Sequence, residues 1–142
     1  DAVVSQEAFC HVPDRAEALR EAFRILKTAG RLAMSDIICH EPLSADDARL
    51  MWDGMSFQPL ETVASYRDKV TSAGFMLVSA VDLTEEWRPI LRDRLAMYQK
   101  LREEARLAGT PMGHDAFHES YIRFVALIQE RKLGGIRLIA EL

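Results

Sequence analysis

DAVVSQEAFCHVPD, residues 1–14, sets a β-branched apolar run directly against a polar segment that carries Glu7, Cys10 and His11. Residues 2–5 read as a short strand, and the polar segment as the loop where that strand leaves its sheet. Asp14 with Glu17 three residues on is a capping pattern. Ala16, Leu19, Phe23 and Leu26 then follow at helical spacing, so an amphipathic helix is predicted over 15–27 with Gly30 as its stop. RLAMSDII, residues 31–38, is a second, mostly apolar strand. Strand, helix and strand at this spacing form a βαβ unit, whose two strands lie parallel with a right-handed crossover.

Further on, Ser44 with Asp47 opens a helix that Gly54 and Pro59 interrupt, and Thr62 caps another that ends at Gly74. Residues 75–83 are a strand. Thr84 is read as the cap of a long helix, with Leu91, Leu95, Tyr98, Leu101 and Ala105 on one face. A last helix carries Phe117, Tyr121, Phe124, Val125 and Ile128 on one face, and Gly134-Gly135 is read as a turn into a closing strand at 136–142. The expectation is an α/β fold of about four strands, the last antiparallel, in a single domain over 1–142. Residues 85–132 form a helical insertion between the last two strands.

The 142 residues are 49% hydrophobic and 28% charged, with a net charge of −4. Basic and acidic side chains are interspersed, which leaves no basic stripe to neutralise phosphates and argues against a nucleic-acid partner. No apolar run is long enough to cross a bilayer and no leader pattern is present, so a cytoplasmic location is expected. Cys10 and Cys39 lack the spacing of a disulfide framework and are expected as reduced, partly buried thiols, although His11 beside Cys10 is placed to favour a thiolate. His114 and His118, four apart, would share a helix face as metal ligands do. No third ligand accompanies them, so no metal site is assigned.

In open parallel sheets, ligands collect beyond the carboxyl ends of the strands. Here those ends are the loop after residue 5 and the segment from Ser35-Asp36 to Glu41, so Glu7, His11 and Asp36 are the ionisable groups expected at a shared crevice. A carboxylate there can hold a cationic amine, and a neutral imidazole can accept a proton as the amine becomes a nucleophile.

The run DAVVSQEAFCHVPD, the helix after it and RILKTAGRLAMSD resemble the fourth- and fifth-strand region of class I S-adenosylmethionine-dependent methyltransferases. They are most similar to the N-methyltransferases of sarcosine, dimethylglycine and phosphoethanolamine. Lys27-Thr28-Ala29-Gly30 stands where that family has KPGG, and the Ala73-Gly74-Phe75 junction, Asp82-Leu83-Thr84 and the closing Gly135 strand also fall in its places. The resemblance implies that the sheet is part of a Rossmann-like methyltransferase sheet. It further implies that Glu7 contacts the substrate amine, that His11 is catalytic, that Ser5 and Gln6 lie along the methionine part of the cofactor, and that Trp52 helps close the substrate pocket. Ile37, Ser56 and Gln58 fall near places where phosphobase enzymes carry tyrosines and an arginine, which argues against a phosphorylated substrate.

The glycine-rich first loop, the acidic end of a second strand and the third strand of that family have no counterpart in these residues. The resemblance therefore implies the carboxyl-terminal, substrate-side half of such an enzyme, binding S-adenosylmethionine poorly or not at all by itself. The strand at 2–5 would leave an apolar edge open, and a homodimer covering that edge is expected. A non-catalytic homodimeric module that binds a small ligand, or a partner subunit that pairs with a separate chain, remain the other readings.

Overall fold

The computed structural model describes residues 1–110 and 115–142. Strand β1 (Ala2–Gln6) leads through a 3-10 turn at Phe9–His11 to α1 (Arg15–Ile25) and β2 (Arg31–Cys39). Helices α2 (Ala45–Met55) and α3 (Val63–Ser72) follow, then β3 (Met76–Asp82), α4 (Thr84–Leu107), α5 (Asp115–Gln129) and β4 (Leu133–Glu141). The sheet order is β1-β2-β4-β3. β1 and β2 run parallel in the register Ala2↔Arg31 to Gln6↔Ser35. β4 inserts antiparallel between β2 and β3, as the sequence pattern predicts for the closing strand.

Capping chemistry sets most helix starts. Asp14 accepts from the Glu17 N–H, Ser44 from Asp47, and Thr62 forms a reciprocal box with Ser65. α1 ends at Ile25, two residues before the predicted helix end at 27, because Leu26 turns extended and buries its side chain in the core. The start of α4 also differs from expectation. Leu83 occupies the N-cap position and Thr84 is the first helical residue, while the capping oxygen is Asp82 Oδ1, which accepts from the Thr84 N–H at 2.8 Å and its hydroxyl at 2.5 Å.

The two faces of the sheet bury different sets of residues. On one face, Leu32, Met34 and Ile38 of β2 and Ile136, Leu138 and Ala140 of β4 pack against Leu19 of α1 and Tyr66 and Val70 of α3. On the other, Ile37 and Leu133 meet Met51 of α2 and Phe124, Leu127 and Ile128 of α5. A bidentate pair joins α2 to α5: Arg123 Nε donates to Asp47 Oδ1 at 2.7 Å and Nη2 to Oδ2 at 2.9 Å, and this holds the Asp47 carboxyl below its ordinary range.

Gly134 and Gly135 are not a turn. They lie inside β4, paired with Ile38 and Ile37, because α4 crosses the strand there at close range. A Cβ on Gly135 would stand 2.6 Å from the Trp87 indole, and one on Gly134 would meet the Thr84 hydroxyl. Glycine is thus selected for close approach. At the sheet edge Val4 of β1 is 75% exposed. Among the described residues no helix is long and apolar enough to cross a membrane. Replacing Gly135 with Val should displace the Trp87 ring and lower unfolding free energy by about 2 kcal/mol, read as an earlier urea midpoint with altered near-ultraviolet circular dichroism.

Candidate functional site

Strand β1 ends where Glu7 adopts a left-handed backbone, φ 50°, which only a few per cent of non-glycine residues share. Its N–H still donates to Ser35 O at 2.8 Å, so the chain leaves the sheet abruptly after one last ladder bond. The 3-10 turn that follows is held from three sides. Asp36 Oδ1 accepts the Cys10 N–H at 3.1 Å. The buried Arg15 guanidinium donates to Phe9 O at 2.7 Å and Cys10 O at 3.1 Å, reaches across to Pro59 O at 2.8 Å, and pairs with Glu61. Gln58 N–H donates to Cys10 O at 2.9 Å.

This framework brings Gln6, Glu7 and His11 to the wall of one cavity of about 610 Å³, between the carboxyl end of β1 and helices α4 and α5. The size is that of an ordinary small-molecule site. Aromatic rings continue from His11 along the cavity: His11 lies 5.5 Å from Phe57, Phe57 is 5.8 Å from Phe124, and Tyr121 is 6.4 Å from Phe124 and stacked on Phe117 at 5.7 Å. Trp87, Ile90 and Arg94 of α4 complete the far side.

His11 Nδ1 lies 3.3 Å from the carbonyl oxygen of Ser56, the left-handed residue (φ 57°) that ends α2. A carbonyl oxygen only accepts, so Nδ1 carries the hydrogen and the neutral ring keeps its lone pair on Nε2. That is the tautomer a proton acceptor needs.

Two sequence expectations need correction. Asp36 does not face the crevice. It has no exposed surface, because strand alternation places it in the row Leu32, Met34, Asp36, Ile38, on the core side of β2. There it accepts the Cys10 N–H and the hydroxyl of the equally buried Tyr66. Burial pushes its carboxyl above the ordinary range; the Tyr66 and Cys10 hydrogen bonds act the other way. Trp52 is 52% exposed and lines a separate cavity of about 610 Å³ with Leu43, Met51 and Leu60, with Phe57 lining both spaces. Ser5 is half-buried next to Gln6 on β1 and, unlike Gln6, is not part of the cavity wall.

Cys10 is fully buried, and its thiol is pushed up to about 12, first by desolvation and then by the Asp36 charge, so it is no nucleophile. Both cysteines are free thiols, as their spacing predicts. His114, one of the two histidines spaced four apart, lies outside the described residues; among the described residues no group of three potential ligands is gathered.

A methyltransferase-domain family model matches residues 1–34, the stretch from β1 into β2. The 27-O-demethylrifamycin SV methyltransferase of Amycolatopsis mediterranei is 30% identical over 144 residues, covering 99% of this chain and 52% of the relative. Sarcosine/dimethylglycine N-methyltransferase of Halorhodospira halochloris is 32% identical over 91 residues, covering 61% of the chain and 31% of the relative. Phosphoethanolamine N-methyltransferase 2 of Haemonchus contortus, solved with phosphomonomethylethanolamine and S-adenosylhomocysteine, superposes with a TM-score of 0.80 at 14% identity over 99% of this chain and 33% of that one. The chain is similar in sequence to methyltransferases and has the fold of class I S-adenosylmethionine-dependent methyltransferases. A mycolic acid cyclopropane synthase complexed with S-adenosylhomocysteine shares the fold at a TM-score of 0.84 and 14% identity, over 100% of this chain and 55% of that one. The chain spans about half the length of the first curated relative it matches and a third or less of the next three.

The wall formed by Trp87, Arg94 and Tyr121 was not assigned to a site from sequence. Its signal was present as the helical spacing of Trp87, Leu91, Arg94 and Tyr98, and of Phe117, Tyr121 and Phe124. That spacing is equally the signature of core packing.

Removing the Tyr66 hydroxyl tests the buried carboxylate beneath the turn. The native Asp36 carboxyl titrates above its unfolded value, so the native state holds a proton that the unfolded state lacks between those values, and this contribution to stability is lost as pH rises through the native value. Tyr66→Phe raises the native value further. Its cost should be about 2 kcal/mol near neutral pH and clearly smaller in acid, where the carboxyl is protonated; urea titrations at the two pH values read the difference.

Proposed function

We propose that this chain forms the acceptor side of an S-adenosylmethionine-dependent methyl transfer to a heteroatom of a small molecule, with Glu7 holding a cationic amine and His11 as the proton acceptor. One observation carries the reading: Gln6, Glu7 and His11 line the same cavity, and the Ser56 carbonyl fixes the His11 tautomer that leaves Nε2 basic. The cofactor, when bound, supplies a methyl group on a sulfonium sulfur. The residues of this chain fit only part of such a cofactor: the end of β1 at Ser5 and Gln6 can lie along its methionine portion. None of the glycines described precedes a helix in the way a phosphate- or nucleoside-binding turn does. The chain's own contribution is therefore on the acceptor. Glu7 attracts the protonated amine, His11 Nε2 takes a proton from the nucleophilic atom, and the aromatic wall excludes water and aligns the acceptor.

A hydroxyl acceptor is the second reading, favoured by the rifamycin O-methyltransferase relative, which aligns with 99% of this chain. Non-catalytic ligand binding needs no basic Nε2, and it is the reading that an inactive complete enzyme would leave standing. Fusing the part of the rifamycin relative that this chain does not cover ahead of residue 1 gives a testable enzyme. His11→Ala in that fusion should lower kcat about a hundred- to ten-thousandfold. Glu7→Gln should raise KM about tenfold for amine acceptors and leave hydroxyl acceptors unchanged. The chain by itself should give no saturable heat with S-adenosylmethionine in calorimetry.

The open edge of β1, with Val4 outward, supports association of two copies of the isolated chain through that strand. Sedimentation equilibrium should show a dimer that Val4→Lys dissociates; a monomer at all concentrations would remove the homodimer.

A further inference from the structure

Arg94 stands apart from its neighbours on α4. Arg88, Arg92 and Arg106 are paired with Glu85, Asp93 and Glu103 along the helix, whereas Arg94 has no carboxylate partner among the described residues and instead lines the cavity. Beside it the wall is apolar and open. Ile90 and Phe117 are exposed although they line a concave surface, a combination that marks surface awaiting a ligand. Tyr121 lies across from Arg94, near enough that the guanidinium charge opposes the upward push that burial gives its hydroxyl. Glu7 sits in the wall at the His11 end of the same space. The cavity is therefore polarised, negative at the proposed catalytic end and positive at the rim.

We infer that the cavity takes an apolar organic anion, with a carboxylate or sulfonate on the Arg94 guanidinium and an apolar, ring-bearing body along Tyr121, Phe117 and Phe124. A guanidinium matches such an anion through two parallel N–H donors, and the nearby apolar wall strengthens the pairing by excluding water. The same polarity fixes orientation. Glu7 repels the anion, so the opposite end of the ligand is presented to His11.

This inference rests on the reading of the cavity as the acceptor site, and the test separates the two. The probes are anilinonaphthalene sulfonate and its uncharged parent phenylnaphthylamine, which share one apolar body and differ by the anion. Fluorescence titration of the chain should show about tenfold tighter binding of the sulfonate. Arg94→Gln should abolish that preference without weakening the parent compound, and Arg92→Gln should preserve it, with near-ultraviolet circular dichroism confirming that both variants are folded. A preference that survives Arg94→Gln, or equal binding of the two probes by the unaltered chain, overturns the proposal. If the Arg94-dependent preference holds while His11→Ala leaves methyl transfer intact in the fusion, the catalytic reading fails and the anion site stands. If His11→Ala abolishes transfer and the preference is absent, only the anion site fails.

Discussion

The turn at Phe9–His11 depends on two buried ionisable side chains, Asp36 and Arg15, that do not line the cavity. Asp36 takes its Cys10 N–H from one side, and Arg15 takes its Phe9 and Cys10 carbonyls from the other. A short 3-10 turn has few internal hydrogen bonds, so its exposed backbone groups need partners elsewhere. Supplying them from a strand and a helix that are themselves packed in the core converts a loop into a rigid feature. Arg15 also reaches Pro59 and Glu61, which ties the segment after α2 to the same anchor. The geometry of Glu7, His11 and Ser56 follows from this clamp.

The clamp explains why charged side chains are kept in a core that apolar residues would fill at less desolvation cost. Removing Arg15 would leave the Phe9 carbonyl without its donor, and removing Asp36 would leave the Cys10 N–H and the Tyr66 hydroxyl without their acceptor, a cost of about 1–3 kcal/mol for each buried group left unpaired. Tyr66 extends the same network to α3, so the helices on one face of the sheet help hold a turn that opens on the other. The two cores are coupled through β2, whose alternate residues serve both faces.

The cavity beyond the turn is polar at one end and apolar along most of its length. The tautomer of His11 is set by backbone geometry at Ser56, and the aromatic series from Phe57 to Phe117 comes from α5 and the end of α2. Gly135 admits Trp87 against β4, so the near end of α4 is positioned by a residue too small to obstruct it. The side chains that do the proposed chemistry thus come from the first eleven residues, while those that shape the ligand space come from the end of α2 and the last two helices.

Much of this was legible in the chain. Alternation and helical spacing marked every strand and every helix but the short 3-10 turn, because apolar periodicity records which side of an element is buried whatever its partners are. Glu7 and His11 were legible as candidates for a crevice because they follow an apolar strand directly, and both line the cavity wall. The alternation of β2 also placed Asp36 inward, but an ionisable residue at a strand end reads as functional until its partners Tyr66 and Cys10, 30 and 26 residues away, are known. Gly134-Gly135 reads as a turn for the same reason: only the crossing of α4 shows that a side chain is excluded there. Local sequence determined the elements and the point after β1 where the acid and the imidazole leave the sheet. Tertiary packing decided which polar groups are buried supports and which face the cavity, because burial and pairing depend on residues far apart in the chain.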